Sequence, residues 1–305
     1  MQKKLNLLTQ KSRNFLRPKI SENPKIHKFL ISIHRHYCDL TGFLHVLPDF
    51  YIIGVTKGGT SALYDYLTQH PNIQPAVTKE PRFFDKYYDR GLNWYKIGFP
   101  FAFHKFLMKK FFRKEFITGE ATPRYLDYPH APQRIKKITP NAKFIILLRN
   151  PIDRIYSHYN MRSRRNKELL SLEDALLQEK KRTNGELEKM KMNENYYSPG
   201  YFQHSYFDRS IYVKKIKYWM KFFPKEQFLI IQSEKFFADP NLFYKKILKF
   251  LNLPEHELKI YEKIGAGKYK NPMMDTNTRK RLAEELKPYN DELFEFLGTK
   301  FDWDK

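Results

Sequence analysis

The chain has 305 residues, 41% of them hydrophobic and 16% aromatic, enough to bury a core and to exclude wholesale disorder. A single cysteine, Cys38, excludes an intramolecular disulfide framework, and no apolar run reaches the roughly 18–20 residues of a spanning helix. Lys plus Arg is 56 against 33 Asp plus Glu, a formal net charge of +23 that favours anionic partners.

Residues 1–47 read as a basic N-terminal arm in which Pro18 and Pro24 interrupt any long helix. Residues 25–37 have the spacing of a short amphipathic helix, suited either to packing or to peripheral membrane contact. The first residues lack the apolar stretch and cleavage site of a signal peptide, so a soluble, cytoplasmic chain is expected. His34 and Cys38 lie four apart on this helix. Two ligands do not make a zinc site, and no metal is expected.

From residue 48 the pattern changes, and residues 48–305 read as one domain. Phe50-Tyr51-Ile52-Ile53 is a buried strand ending at Gly54, with a helix over about 60–69 behind it. A second strand spans 143–148, followed by Arg149-Asn150-Pro151 and a helix. A third spans 227–231, with a helix after Asp239-Pro240. Strands alternating with helices predict an α/β fold with a central parallel sheet and helices on both faces. Between the second and third strands, about 162–195, the charged composition predicts an exposed helical insertion. At the end of the chain, apolar pairs four apart predict two short helices divided by Pro288 and stopped at Gly298.

The turn after the first strand carries the chemistry. In Gly54-Val55-Thr56-Lys57-Gly58-Gly59-Thr60-Ser61, two glycines let the backbone approach a ligand, and the opening helix offers free amides and a positive dipole end. Lys57 adds a charge; Thr60 and Ser61 add hydroxyls. The spacing is nearly that of a nucleotide-binding P-loop, but Thr60 occupies the lysine position and the lysine stands three residues earlier. A Mg²⁺-dependent ATPase is therefore disfavoured.

Arg149 falls at the carboxyl end of the second strand, the side where open α/β sheets bind ligands. A guanidinium there fits an anion, and Ser157 lies two helical turns further on. Anion sites at two strand ends fit a nucleoside carrying phosphates at both ends.

The two segments 51–60 and 144–151, with Ser157, closely resemble those of sulfotransferases dependent on 3′-phosphoadenosine 5′-phosphosulfate (PAPS). The heparan sulfate N- and 3-O-sulfotransferase branch is the nearest likeness. The resemblance continues through Lys79-Glu80-Pro81-Arg82-Phe83-Phe84-Asp85 and Gly119-Glu120-Ala121-Thr122-Pro123. It returns at 212–219, 223–227, Gly267-Lys268-Tyr269 and 288–303. It implies a P-loop-like three-layer fold. Lys57 and the amides of Gly58, Gly59, Thr60 and Ser61 would hold the 5′-phosphosulfate. Arg149 and Ser157 would hold the 3′-phosphate, with Tyr212 also on the cofactor side. The loop at Gly267, Lys268 and Tyr269 would close over the nucleotide. Glu80 matches the general base, and Lys57 would meet charge on the leaving oxygen. Arg82 and Asp85 fall where that branch meets its acceptor.

The resemblance implies a carbohydrate acceptor, glycosaminoglycan-like and anionic, with the adenosine bisphosphate (PAP) as product and with neither metal nor nucleic acid involved. Two positions depart from that branch: Arg82 stands where it has histidine, and Ala121 where it has lysine. A P-loop kinase or ATPase, or a non-enzymatic polyanion binder, are the other classes compatible with the basic charge and glycine-rich turn.

Overall fold

A computed structural model describes residues 24–112, 115–258, 260–261 and 274–303. The expected strands form: β1 is Phe50–Gly54, β4 is Lys143–Leu148 and β5 is Phe228–Gln232. Two further strands, β2 (Ile73–Pro75) and β3 (Ile117–Glu120), complete the sheet. These were not expected from the pattern, because at three and four residues they are too short and too polar to show alternation. The order is β2-β3-β1-β4-β5, and every pairing is parallel.

Alternate residues feed opposite faces, as the pleat demands. Tyr51, Ile53, Phe144, Ile146 and Leu148 join one core. Phe50, Ile52, Ile145, Leu147 and Ile231 join the other. Both faces of the sheet are thus covered by helices, which is why these strands read as continuous apolar runs. β1 sits in the middle, with its carboxyl end beside that of β4; Ile52 pairs Ile145, and the register shifts before Gly54.

The helix predicted over 25–37 runs over Pro24–Thr41, and the one after β1 over Thr60–Leu67. His34 Nδ1 lies 3.5 Å from Cys38 Sγ on the first of these. The final helix corrects the expectation of two: Thr276–Leu297 is continuous, with Pro288 inside it. Leu282, Leu286, Leu293 and Phe294 are buried along one face across the proline. Glu284, whose carbonyl the proline cannot satisfy, lies with Pro288 on the exposed side of the helix. Gly298 ends the helix in the left-handed region, φ 67.

The segment 162–195 contains helices Leu172–Leu177, Glu179–Arg182 and Glu186–Met192. Leu169, Leu177 and Met192 are exposed, while Ala175 and Met190 enter the core. Glu179 anchors it: its carboxylate accepts from the amides of Tyr206 (2.8 Å), Phe207 (2.7 Å) and Asp208 (2.9 Å). Among the described residues, no helix is long and apolar enough to cross a membrane.

Candidate active site

The loop between β1 and the helix Thr60–Leu67 is pinned from three sides. Arg209 donates from Nη2 to Thr56 Oγ1 (2.7 Å), Arg149 from Nη1 to the Lys57 carbonyl (3.2 Å), and Ser233 from Oγ to the Gly58 carbonyl (2.7 Å). Lys57 takes φ 75 and Gly59 φ 99. A side chain at 59 would also collide with Phe237 at 2.6 Å, so only glycine serves there. A non-glycine residue held in the left-handed region beside a ligand-binding turn is the kind of strain found at functional sites.

One detail corrects the expected donor set. The Gly58 amide is committed within the loop, to the Val55 carbonyl at 2.9 Å. That leaves the amides of Gly59, Thr60 and Ser61 at the helix start, which no side chain caps. Uncapped first-turn amides, at the positive end of the dipole, form an anion site.

Arg149 stands at the end of β4, half-buried, beside this loop. Tyr212, expected on the cofactor side, is buried and donates its hydroxyl to the Arg149 carbonyl at 2.9 Å. It therefore holds Arg149 in place from behind. Ser157 is buried in the helix Pro151–Ser163. Asn150 caps that helix, accepting from the Ile152 amide (3.0 Å) and donating to the Trp303 carbonyl (3.0 Å). Within it His158 is held well below its ordinary pKa, first by burial and then by the charges of Arg154, Arg209, Arg162 and Arg124.

Glu80 lies on the open side, its side chain 40% exposed. Lys79 joins it to the loop: Nζ donates to Glu80 Oε1 (3.0 Å) and to Ser61 Oγ (2.9 Å). The sheet end thus brings together Lys57, the uncapped amides, Arg149 and Glu80. Gly267, Lys268 and Tyr269 lie outside the described residues.

Arg82 adopts φ 58 and grips Asp85 Oδ2 through Nε (3.2 Å) and Nη2 (2.7 Å). Asp85, expected to meet substrate, is 1% exposed and instead positions Arg82. Burial raises the Asp85 pKa against the pull of Arg82. Arg82 also stacks over Tyr197, 4.9 Å from the ring centroid.

The buried carboxyl of Glu120, at the end of β3, was missed by sequence reasoning. It accepts from Tyr95 (2.5 Å), Tyr125 (3.1 Å) and Thr122 (2.6 Å) hydroxyls, and burial pushes its pKa up to about 8. Asp127 was missed as well. It pairs with buried Arg209 at 2.8 Å and Lys215 at 3.7 Å, fixing the arginine that ties down Thr56.

A sulfotransferase domain is matched over residues 47–303. The chain belongs to the sulfotransferase family. Among its relatives in that family is human heparan sulfate glucosamine 3-O-sulfotransferase 3B1, 30% identical over 280 residues. That alignment covers 85% of this chain and 65% of the relative, so the chain spans just under two thirds of the relative's length. Mouse heparan sulfate glucosamine 3-O-sulfotransferase 5 is 28% identical over 279 residues, covering 84% of this chain and 74% of that one. A solved sulfotransferase from Alicyclobacillus acidocaldarius superposes with a TM-score of 0.63 at 27% identity, covering 85% of this chain and 100% of that one. The parallel sheet and its flanking helices are the sulfotransferase fold.

Proposed function

We propose that the chain transfers the sulfuryl group of PAPS to a hydroxyl or amine of a carbohydrate acceptor, with Glu80 as general base. The observation that carries this reading is the position of Lys79. Its Nζ bridges Ser61 Oγ and Glu80 Oε1, so a partly exposed carboxylate sits beside the anion-binding first turn. The glucosamine 3-O-sulfotransferases among the relatives support a carbohydrate acceptor.

The residues fit an anionic nucleotide by their donor chemistry. Lys57 and the amides of Gly59, Thr60 and Ser61 would hold the 5′-phosphosulfate; Arg149 and Ser157 would hold the 3′-phosphate. When bound, PAPS supplies the sulfuryl group and a stable bisphosphate leaving group. Catalysis of this kind of displacement rests on positioning and charge stabilisation. Lys57 meets the negative charge that grows on the departing oxygen. Glu80 takes the proton of the acceptor hydroxyl or amine, a role worth about 10²–10⁴-fold. Arg149, braced by Tyr212, keeps the loop and the second anion site in one frame.

The test is incubation of the full chain with PAPS and a panel of oligosaccharides, following release of PAP. Acceptor-dependent release that persists in EDTA is expected. No release with any acceptor, or release only when Mg²⁺ is present, contradicts the reading.

A further inference from the structure

The end of the sheet away from Lys57 and Arg149 carries large apolar side chains that no described residue covers. In the helix Ala102–Phe112, Phe103 is 67% exposed, Phe106 54% and Phe111 66%. Next to its start, Phe43 of the turn Gly42–Leu44 is 67% exposed. The two elements are joined by a bridge between His45 and Phe101, whose ring centroids lie 4.1 Å apart. Tyr37 and Leu40, exposed on the side of the helix Pro24–Thr41 away from buried Cys38, continue the surface. Single exposed apolar residues are ordinary, but a set of large ones on adjoining elements marks a surface that meets a partner.

Its place in the fold follows from two contacts. Lys105 pairs with Asp49 at 3.3 Å, and the His104 ring lies 5.2 Å from that of Phe116. Asp49 immediately precedes β1, and Phe116 immediately precedes β3. The strands are parallel, so the helix Ala102–Phe112 sits at their amino ends, while Lys57 and Arg149 follow their carboxyl ends. That helix has three lysines and no acid. Lys105 and Lys109 are paired, with Asp49 and Glu115, whereas Lys110 makes no salt bridge with a described residue. Lys110 Nζ lies over Phe106 at 5.5 Å and over Phe111 at 5.7 Å, so the cation and both rings reach the same surface. Lys96, also without a salt bridge among the described residues, donates to the Phe43 carbonyl at 3.4 Å.

We propose that this face docks on a bilayer surface containing anionic lipid. Aromatic rings with ammonium groups beside them suit a boundary that is apolar on one side and negatively charged on the other. A second copy of the chain suits it less. A symmetric contact would bring the same lysine-bearing patch onto itself, in a chain of net charge +23. Docked this way, the amino ends of the strands face the lipid and the candidate active site opens away from it. No residue of that site takes part, so the docking stands apart from the sulfuryl-transfer reading.

The test is flotation of the full chain with vesicles of phosphatidylcholine alone, or of phosphatidylcholine and phosphatidylserine in equal parts. Wild type is expected on the mixed vesicles and only weakly on the neutral ones. Phe103→Ser/Phe106→Ser keeps every charge and is expected to partition about 10- to 100-fold more weakly. Lys110→Glu is expected to lose about 5- to 30-fold on the mixed vesicles. Leu169→Ser and Lys167→Glu, at exposed positions of the segment 162–195, are expected to bind as wild type. Brominated phosphatidylcholine is expected to quench the added fluorescence of Phe106→Trp and not that of Leu169→Trp. All variants are compared once their circular dichroism matches wild type. Wild type that stays off the mixed vesicles overturns the proposal. Adsorption by net charge alone also overturns it, and shows as a Phe103→Ser/Phe106→Ser protein that floats like wild type, or as equal losses in Lys110→Glu and Lys167→Glu. A wild-type dimer that ignores vesicles and is lost in Phe103→Ser/Phe106→Ser, read by light scattering, would give the face to a second copy instead.

Discussion

Arg149 donates to the Lys57 carbonyl at 3.2 Å, so the residue just past β4 restrains the loop that follows β1. The two candidate anion-binding ends are therefore tethered to each other. Arg149→Ala is expected to lower PAP affinity by about 10- to 100-fold, since a charged contact and the loop tether go together. Tyr212→Phe removes only the brace at 2.9 Å and is expected to cost about 2- to 10-fold. Calorimetric titration with PAP, on variants whose circular dichroism matches wild type, measures both. An Arg149→Ala protein that binds PAP normally would place the second phosphate elsewhere.

Glu120 sets a pH dependence of stability. Its folded pKa, about 8, lies above the ordinary 4.5, so between those values the folded state holds a proton that the unfolded state has lost. Stability from this group is full below about pH 4.5 and falls as pH rises towards 8. Glu120→Gln stays neutral throughout. Thermal melts at pH 5, 6.5 and 8 are expected to shift in favour of the variant as pH rises. Parallel curves would show that Glu120 does not carry the effect.

The Asp127 carboxylate neutralises buried Arg209 and Lys215. Asp127→Ala leaves both cations in the interior without it, an imbalance worth about 3–5 kcal/mol. Urea unfolding is expected to show a loss of that size, with transfer activity falling too because Arg209 anchors Thr56. A loss under 1 kcal/mol would mean that water reaches the pair.

The parts of this architecture that could be read from sequence are those in which one short stretch carries its own signal. The runs 50–53 and 143–148 are apolar on both faces because helices cover both sides of a parallel sheet, and each ends in a turn whose residues announce an anion site. Ile73–Pro75 and Ile117–Glu120 gave no such signal, since three or four residues with Gln, Thr or Glu among them show no period. Pro288 reads as a break because the rule for proline is local, whereas the buried leucines on either side of it act across the whole helix. The pair that anchors Thr56 was hidden for another reason: Asp127 and Arg209 are far apart in the chain, and only the fold brings them to 2.8 Å.

The assignment of Glu80 is tested most directly by Glu80→Gln, which keeps the size and the Lys79 contact while removing the base. PAP affinity is expected to stay within about 2-fold of wild type, while acceptor-dependent PAP release falls by about 10²–10⁴-fold. Turnover at the wild-type rate, or loss of nucleotide binding in this variant, would contradict the account.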